Sequence, residues 1–143
     1  MAELKLERVF KASPVTVFDF ITKGEHLVKW WGPEGTKLPD HALDFTKLGP
    51  WHSVMQNSEG GKNKVSGQVT HIDPPNSLGF TWAWHDENDK RGVESHVQLS
   101  LQATTDGGTI FRLHHQELPS EEMAGRHNQG WTSSLRKLER LAN

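Results

Sequence analysis

The chain has 143 residues, a formal net charge of -2 and no cysteine. This length predicts a single domain, residues 1–143, with a substantial buried core. The lack of cysteine excludes disulfides and thiolate metal sites, and the balanced charge disfavours nucleic acid or an anionic membrane as a partner.

The sequence up to the Gly-Pro pair at 32–33 predicts one strand and two short helices. Apolar residues alternate within residues 3–11, as in a half-buried strand. Ser13 precedes a proline, which is a common helix start, and Gly24 is a common helix stop. Residues 25–31 predict a second helical segment, which the Gly-Pro pair ends.

Six further strands are predicted from alternating apolar residues in the middle of the chain. They cover residues 41–47, 51–57, 65–72, 78–84, 93–103 and 109–115. Short turns connect them, so this order predicts an antiparallel meander. Gly67 and Gly79 interrupt two of these strands and predict bulges or close backbone approaches in a curved sheet.

A helix of about six turns is predicted near the C-terminus. Six residues recur at steps of three and four and form one apolar face: Met123, His127, Trp131, Leu135, Leu138 and Ala142. Ser120 is placed to cap the first free amide groups. We expect the first half of this face to form a pocket wall and the second half to close the core.

These elements predict an α+β fold. It consists of a seven-stranded curved antiparallel sheet around a long C-terminal helix, with two short helices after the first strand. Because the sheet curves and the helix is straight, we expect a gap between them. The N-terminus has no apolar core typical of a signal peptide, and no apolar run reaches the ~20 residues of a membrane span, so a cytoplasmic protein is predicted.

Four stretches of the sequence carry a family resemblance. They are FDFITKGEHLVKWWGP at 18–33, GQVTHIDPP with LGFTW at 67–82, GTIFRLH at 108–114 and HNQGWTSSLRKL at 127–138. Together they resemble the family named for the activator of the heat-shock chaperone ATPase, within the START-like SRPBCC superfamily. The resemblance implies a helix-grip fold, in which the sheet grips the C-terminal helix around a cavity. It does not imply one activity, because this superfamily holds lipid carriers, receptors, cyclases and co-chaperones.

Candidate ligand-binding residues are those expected to face the gap between sheet and helix. They are Trp31, Trp51, Met55, Phe80, Trp82, Trp84, Ser95, Phe111, His115, Met123, His127 and Trp131. Aromatic rings around a gap suit a flat or apolar ligand. The alternative is that they fill the core, which is the usual role of any one tryptophan. Trp30 and Trp31 are expected at the edge, where they anchor the turn or gate the cavity mouth.

His127 and His115 are expected to meet inside the gap. A neutral imidazole there would hydrogen-bond a ligand or act as a base, or its nitrogens would be satisfied by the protein itself. No histidine pair has the spacing of a helical metal site, so no metal is predicted. No phosphate loop or dinucleotide fingerprint is present, so no cofactor is predicted either.

Three functions remain open at this point. The first is a domain that binds an apolar or aromatic small molecule between sheet and helix. The second, implied by the resemblance, is a co-chaperone-like module of the stress response that contacts a chaperone. The third is a cavity enzyme, such as a cyclase or hydrolase, with His127 or His115 as base. Either a monomer or a homodimer that pairs through a strand edge is compatible with the sequence.

Overall fold

A computed structural model describes all 143 residues as one sheet and three helices. The elements are β1 Ala2–Phe10, α1 Pro14–Thr22, α2 Gly24–Trp30, β2 Lys37–Ala42, β3 Gly49–Gln56, β4 Lys62–Asp73, β5 Ser77–Trp84, β6 Ser95–Ala103, β7 Thr109–Leu118 and α3 Glu121–Ala142. The strands form one antiparallel sheet in the order β1-β7-β6-β5-β4-β3-β2. The predicted α+β helix-grip architecture is confirmed. None of the three helices combines the length and apolar composition that a membrane-spanning helix needs.

The two short helices begin as sequence patterns suggest but meet differently. The Ser13 hydroxyl accepts a hydrogen bond from the Thr16 amide, and Pro14 takes the first position of α1, where its missing N–H costs nothing. Gly24 was expected to stop α1, yet it begins α2, and Lys23 caps both helices. The glycine is needed there because a Cβ at this position would overlap the backbone carbonyl oxygen of Leu43.

The predicted strand at 41–47 is wrong in its position. The edge strand β2 is Lys37–Ala42, and the chain then leaves the sheet. Leu43 and Phe45 are nevertheless buried, because the Phe45 amide donates to the carbonyl oxygen of Thr22 and draws this segment over the core. The alternation therefore marks an extended segment that is buried without pairing as a strand.

The boundaries of the other strands differ from the predicted ones by up to three residues. Strand β6 begins at Ser95 instead of 93, because residues 92–94 belong to the preceding hairpin and Val93 is exposed. Strand β7 continues past 115 to Leu118, where it pairs with Ala2 at the start of β1.

The predicted bulge or close backbone approach is confirmed at both strand glycines, with one of the two features at each. A Cβ on Gly67 would overlap the carbonyl oxygen of Thr81 on the neighbouring strand, an oxygen that also accepts a hydrogen bond from Trp51 Nε1 at 3.2 Å. Gly79 pairs with His71 where the register of β4 and β5 shifts. These two sites produce the local distortions that a curved sheet needs.

The long helix α3 closes the sheet. The Ser120 side chain caps it by accepting from the Met123 amide at 3.1 Å, as predicted. It packs against β1, β7 and the two short helices. Leu135 and Leu138 are fully buried in its second half, which therefore closes the core.

Candidate functional site

A cleft of about 500 Å³ opens between the first half of α3 and the sheet. The loop after α2, the β3–β4 hairpin and β5 form its other walls. Its lining residues are Trp31, Gly32, Pro33, Glu34, Thr36, Met55, Asn57, Ser58, Asn63, Trp82, Trp84, Met123, Arg126, His127, Gly130, Trp131 and Ser134. Apolar rings and methionines lie beside polar loop and hairpin residues, so the cleft offers both kinds of contact to one molecule.

Seven of the twelve predicted candidates line this cleft. They are Trp31, Met55, Trp82, Trp84, Met123, His127 and Trp131. Three of these, from Met123 to Trp131, come from the half of α3 that was expected to form a pocket wall. Helical spacing places them on one side of α3, and strand alternation places Trp82 and Trp84 opposite.

Five predicted candidates lie outside the cleft lining and pack in the core. They are Trp51, Phe80, Ser95, Phe111 and His115. Phe111 packs on Phe10 at the far end of the sheet, with a ring-centroid distance of 5.5 Å. Phe80 packs on Phe45 with a centroid distance of 4.7 Å. Strand alternation gives the face of a residue but not its distance from the cleft, which explains these differences.

The expectation that Trp31 lies at the edge is corrected by its position. Its side chain is 2% exposed, and its ring is the hub of the aromatic cluster, 5.5 Å from Trp51, 5.7 Å from Trp82 and 5.9 Å from Trp131 between centroids. Its Nε1 donates to Ser53 Oγ at 2.9 Å. These contacts bury the ring between β3, β5 and α3, where it also lines the cleft. Its neighbour in sequence, Trp30, is also buried.

His115 is a neutral structural histidine in this arrangement. Its Nδ1 accepts from Trp131 Nε1 at 3.1 Å, so the proton is on Nε2, which donates to Ser95 Oγ at 2.7 Å. The serine hydroxyl in turn donates a hydrogen bond to the carbonyl oxygen of Trp82 at 3.3 Å. Burial, and to a smaller extent the nearby His127, lowers the pKa of His115 to about 3. Both ring nitrogens are thus already used.

His127 differs because one ring nitrogen has no partner. Its Nε2 accepts from Trp84 Nε1 at 3.1 Å, which leaves the proton of the neutral ring on Nδ1. No protein group accepts a hydrogen bond from that Nδ1. Burial lowers the pKa of His127 to about 4, so the ring is neutral near pH 7. The cleft wall therefore carries an oriented N–H donor.

Trp82 contributes a second unsatisfied donor. Its Nε1 is buried and has no hydrogen-bond partner. Its ring packs against His127 with a centroid distance of 5.6 Å and against Trp131 with one of 5.3 Å. Buried N–H groups are normally paired, so an unpaired one beside a cleft is a feature that a bound molecule or water would relieve.

The loop that forms one wall is fastened to α3. Lys137 Nζ donates to the carbonyl oxygens of Trp31 and Pro33, both at 3.3 Å, and burial lowers its pKa. The Glu34 amide donates to Ser133 Oγ at 2.9 Å. These contacts hold the wall in place without using the groups that face the cleft.

Sequence patterns missed the polar half of the lining. Glu34, Thr36, Asn57, Ser58 and Asn63 lie in or beside loops, where no periodicity indicates direction. Arg126 pairs with Glu122 on the surface of α3 and also reaches the rim of the cleft. No group of three or more His, Asp or Glu side chains converges as metal ligands.

Comparisons with known proteins give a consistent result. A family model described as "Activator of Hsp90 ATPase homolog 1-like protein" matches residues 11–143. The crystal structure of an AHSA1 protein from Silicibacter pomeroyi is 52% identical, with a TM-score of 0.93 over 97% of this chain and 96% of that one. A Chromobacterium violaceum protein (19% identity, TM-score 0.86, 99% and 98% of the chains) and a Nitrosomonas europaea protein (24%, 0.79, 97% and 92%) share the fold. No match was found among functionally curated proteins.

Proposed function

The chain belongs to the family of Activator of Hsp90 ATPase homolog 1-like proteins, and on that premise we propose that it is a small cytoplasmic domain that binds an apolar or aromatic small molecule in the cleft between α3 and the sheet. The ligand carries a hydrogen-bond acceptor, such as a carbonyl oxygen, on its apolar body. The observation that carries this proposal is the free Nδ1–H of His127 in a wall of indole rings.

The shape and lining of the cleft support this ligand class. Its volume of about 500 Å³ falls in the range of pockets that hold small organic molecules. Four indoles, Trp31, Trp82, Trp84 and Trp131, contribute apolar surface to the lining, and Trp84 is the most exposed of them. Asn57 and Asn63 at the hairpin provide polar contacts for a second group of the ligand at the entrance.

A pair of ligands that differ by one oxygen tests this proposal. Fluorenone and fluorene have the same flat shape, but only fluorenone carries an acceptor. We expect fluorenone to bind about 3- to 10-fold more tightly, as one hydrogen bond to a neutral donor would give. Titration calorimetry measures both affinities, and quenching of indole fluorescence supplies a second readout.

Matched variants separate the apolar cleft from its donor. His127→Leu should bring the two affinities together, while Trp131→Ala should abolish binding of both compounds. Arg136→Gln, at an exposed position of α3 outside the cleft lining, is the control and should change neither. If neither compound, nor a broader set of apolar ketones, binds the unmodified protein, the proposal is wrong.

A partner protein is the second candidate function. The observation that favours it is the description of the matching family, which names an activator of the Hsp90 ATPase. The test is the turnover of a purified Hsp90-type ATPase with and without this protein. Stimulation that persists in Trp131→Ala would favour a surface-binding module over a cleft-binding one.

The cavity enzyme with a histidine base has less support. His115 does not line the cleft, and both of its nitrogens are engaged. The neutral His127 accepts from Trp84 through Nε2 and carries its proton on Nδ1, so no lone pair faces a substrate. A base needs such a lone pair within reach of the proton that it removes.

A further inference from the structure

Three serine–histidine pairs are within hydrogen-bond distance in this protein, and one of them is built differently. Ser95 and His115 are buried in the core, and the second nitrogen of that histidine accepts from an indole. His71 Nε2 lies 2.7 Å from Ser77 Oγ, and its other nitrogen has no partner. Only the third pair, Ser66 with His85, has a carboxylate on the second nitrogen of its histidine.

The third pair has the proton arrangement of an activated nucleophile. His85 Nδ1 lies 2.7 Å from Asp89 Oδ1, and because a carboxylate only accepts, the ring donates from Nδ1. Nε2 then carries no proton, and it accepts a hydrogen bond from the Ser66 hydroxyl at 2.6 Å. Serine, imidazole and carboxylate thus form a continuous relay, which is the geometry by which a histidine base activates a hydroxyl.

The guanidinium group of Arg91 also contacts the serine. Arg91 Nε donates to Ser66 Oγ at 2.9 Å, and its Nη2 donates to the carbonyl oxygen of Ser66 at 3.0 Å. Glu94 holds the other end of the guanidinium through Nη1 at 3.2 Å. A fixed positive charge beside Oγ favours the partly ionised oxygen that forms when the serine attacks.

The backbone of the sheet positions these groups on the face opposite α3. Ser66 on β4 pairs with His52 on one side and Ala83 on the other. His85 follows β5, its amide donates to the carbonyl oxygen of Lys64, and it forms an isolated bridge with Arg91. The side chains of a strand alternate between faces, so the serine points away from the aromatic cleft, as its neighbour Val65 is fully buried.

A second cleft, of about 350 Å³, gives access to the serine. Ser66 and His85 are part of its lining, together with Pro50, His52 and the backbone of Gly67. Lys64 and Arg91 also reach it. A small acyl group has space beside Oγ, and the cations favour substrates with neutral or negative polar groups.

We propose that Ser66 is a nucleophile for acyl transfer, with His85 as its base and Asp89 as a positioning residue, acting on small carboxylic esters with a phenol-like leaving group. Ser66 Oγ attacks the ester carbonyl carbon while its proton moves to His85 Nε2. The carbon–oxygen bond to the leaving group breaks, and the departing phenolate takes that proton. Water then attacks the acyl-serine, with His85 accepting the proton of the water and returning it to Oγ.

The exposure of the relay sets the expected rate. The His85 side chain is 9% exposed, but that of Asp89 is 67% exposed, so water competes for the carboxylate. Lys64 also pairs with Asp89 at 3.1 Å, and Arg91 and His52 flank the site from the hairpin and from β3. We therefore expect a slow esterase, about 100-fold above the Ser66→Ala variant.

Covalent labelling tests the proposal directly. The purified protein is incubated with a fluorophosphonate, and the adduct is located by mass spectrometry of its peptides. We expect one adduct, on Ser66, and none on Ser77, the serine whose histidine has no carboxylate. Hydrolysis of p-nitrophenyl acetate should fall about 100-fold in Ser66→Ala and be unchanged in Ser77→Ala.

Variants of His85 and Asp89 test the relay itself. His85→Gln should slow labelling of Ser66 about 100-fold. Asp89→Asn should slow it about 10-fold, because the ring loses the carboxylate that orients it, and Asp89→Glu, which keeps a carboxylate, should restore most of the rate. Circular dichroism of the indoles confirms that each variant is folded. Labelling of Ser66 no faster than of Ser77, or at equal rates in the parent, His85→Gln and Asp89→Asn, would overturn the proposal.

Discussion

At the buried histidines, two indole N–H groups determine which ring nitrogen carries the proton. Trp131 donates to His115 and Trp84 donates to His127, each at 3.1 Å. Protonating either ring would place its new N–H group against the N–H group of the neighbouring indole. It would also bury a positive charge, which costs further free energy. The neutral state is therefore part of the folded structure, which has a measurable effect on stability.

The stability of the protein should fall as the pH is lowered from about 6.5. The pKa of His127 is about 4 and that of His115 about 3 in the folded state, against 6.5 unfolded. Below pH 6.5 the unfolded chain binds protons that the folded chain does not, so the free energy of unfolding decreases by up to about 1.4 kcal/mol per pH unit for each histidine. Above pH 6.5 both states are neutral and this contribution is constant.

Urea denaturation at pH 7.5, 6.0 and 5.0 measures this effect. Carboxyls with lowered pKa, such as Asp44 with its hydrogen bonds to Thr46, lose their stabilising effect only near and below their ordinary value of 3.8. The window above pH 5 therefore reports mainly on the histidines. A His127→Gln variant should lose part of the slope, and an unchanged free energy from pH 7.5 to 5.0 would contradict the neutral state.

At the scale of single elements, glycines show where backbones approach each other. On β4, a side chain at Gly67 would overlap the carbonyl oxygen of Thr81 on β5. Relieving this overlap would require the two strands to separate, which would break the hydrogen bonds between them. On α3, a Cβ at Gly125 would meet nothing within 4 Å. These two positions form a matched pair for one substitution.

Replacing each glycine by alanine should change stability in opposite directions. Gly67→Ala should lower the free energy of unfolding by about 2 kcal/mol or more, through forced separation of β4 and β5. Gly125→Ala should raise it by about 0.5–1 kcal/mol, because glycine is a poor helix former. Thermal and urea unfolding of both variants measure the difference. A neutral Gly67→Ala would mean that the two strands have room to separate.

At the scale of the whole molecule, α3 performs two tasks along its length. Its second half, with Leu135 and Leu138 fully buried, seals the core against β1 and the short helices. Its first half contributes Met123, His127 and Trp131 to the wall of the cleft, opposite the indoles of β5. Substitutions in the second half of α3 should therefore lower the stability of the protein, and substitutions in the first half should weaken ligand binding.

Two alanine substitutions on α3 test this division. Leu135→Ala should cost about 2–5 kcal/mol of unfolding free energy, as expected for a buried leucine. Met123→Ala, at a half-buried position in the cleft wall, should cost little stability but weaken fluorenone binding. Urea unfolding and calorimetry on the same samples give both quantities. If Met123→Ala destabilised the protein as much as Leu135→Ala, the first half of α3 would be core as well.

The order of the elements and the two faces of α3 could be read from the sequence. Periodicity is local, so a step of four along Met123, His127 and Trp131 indicates a helix face wherever that helix lies. The edge segment was the exception, because Leu43 and Phe45 alternate while buried outside the sheet. An apolar alternation indicates burial in an extended chain and does not by itself show strand pairing.

Most contacts at the two sites depend on groups far apart in the sequence. The sequence by itself determined the fold, the aromatic interior and seven members of the cleft lining, because these follow from local pattern and family motifs. Only the tertiary structure decided that Trp84 sets the tautomer of His127, and that Ser66 meets His85 and Asp89 on the outer face. Hydrogen bonds change over fractions of an ångström, and such distances arise only when separate elements are packed together.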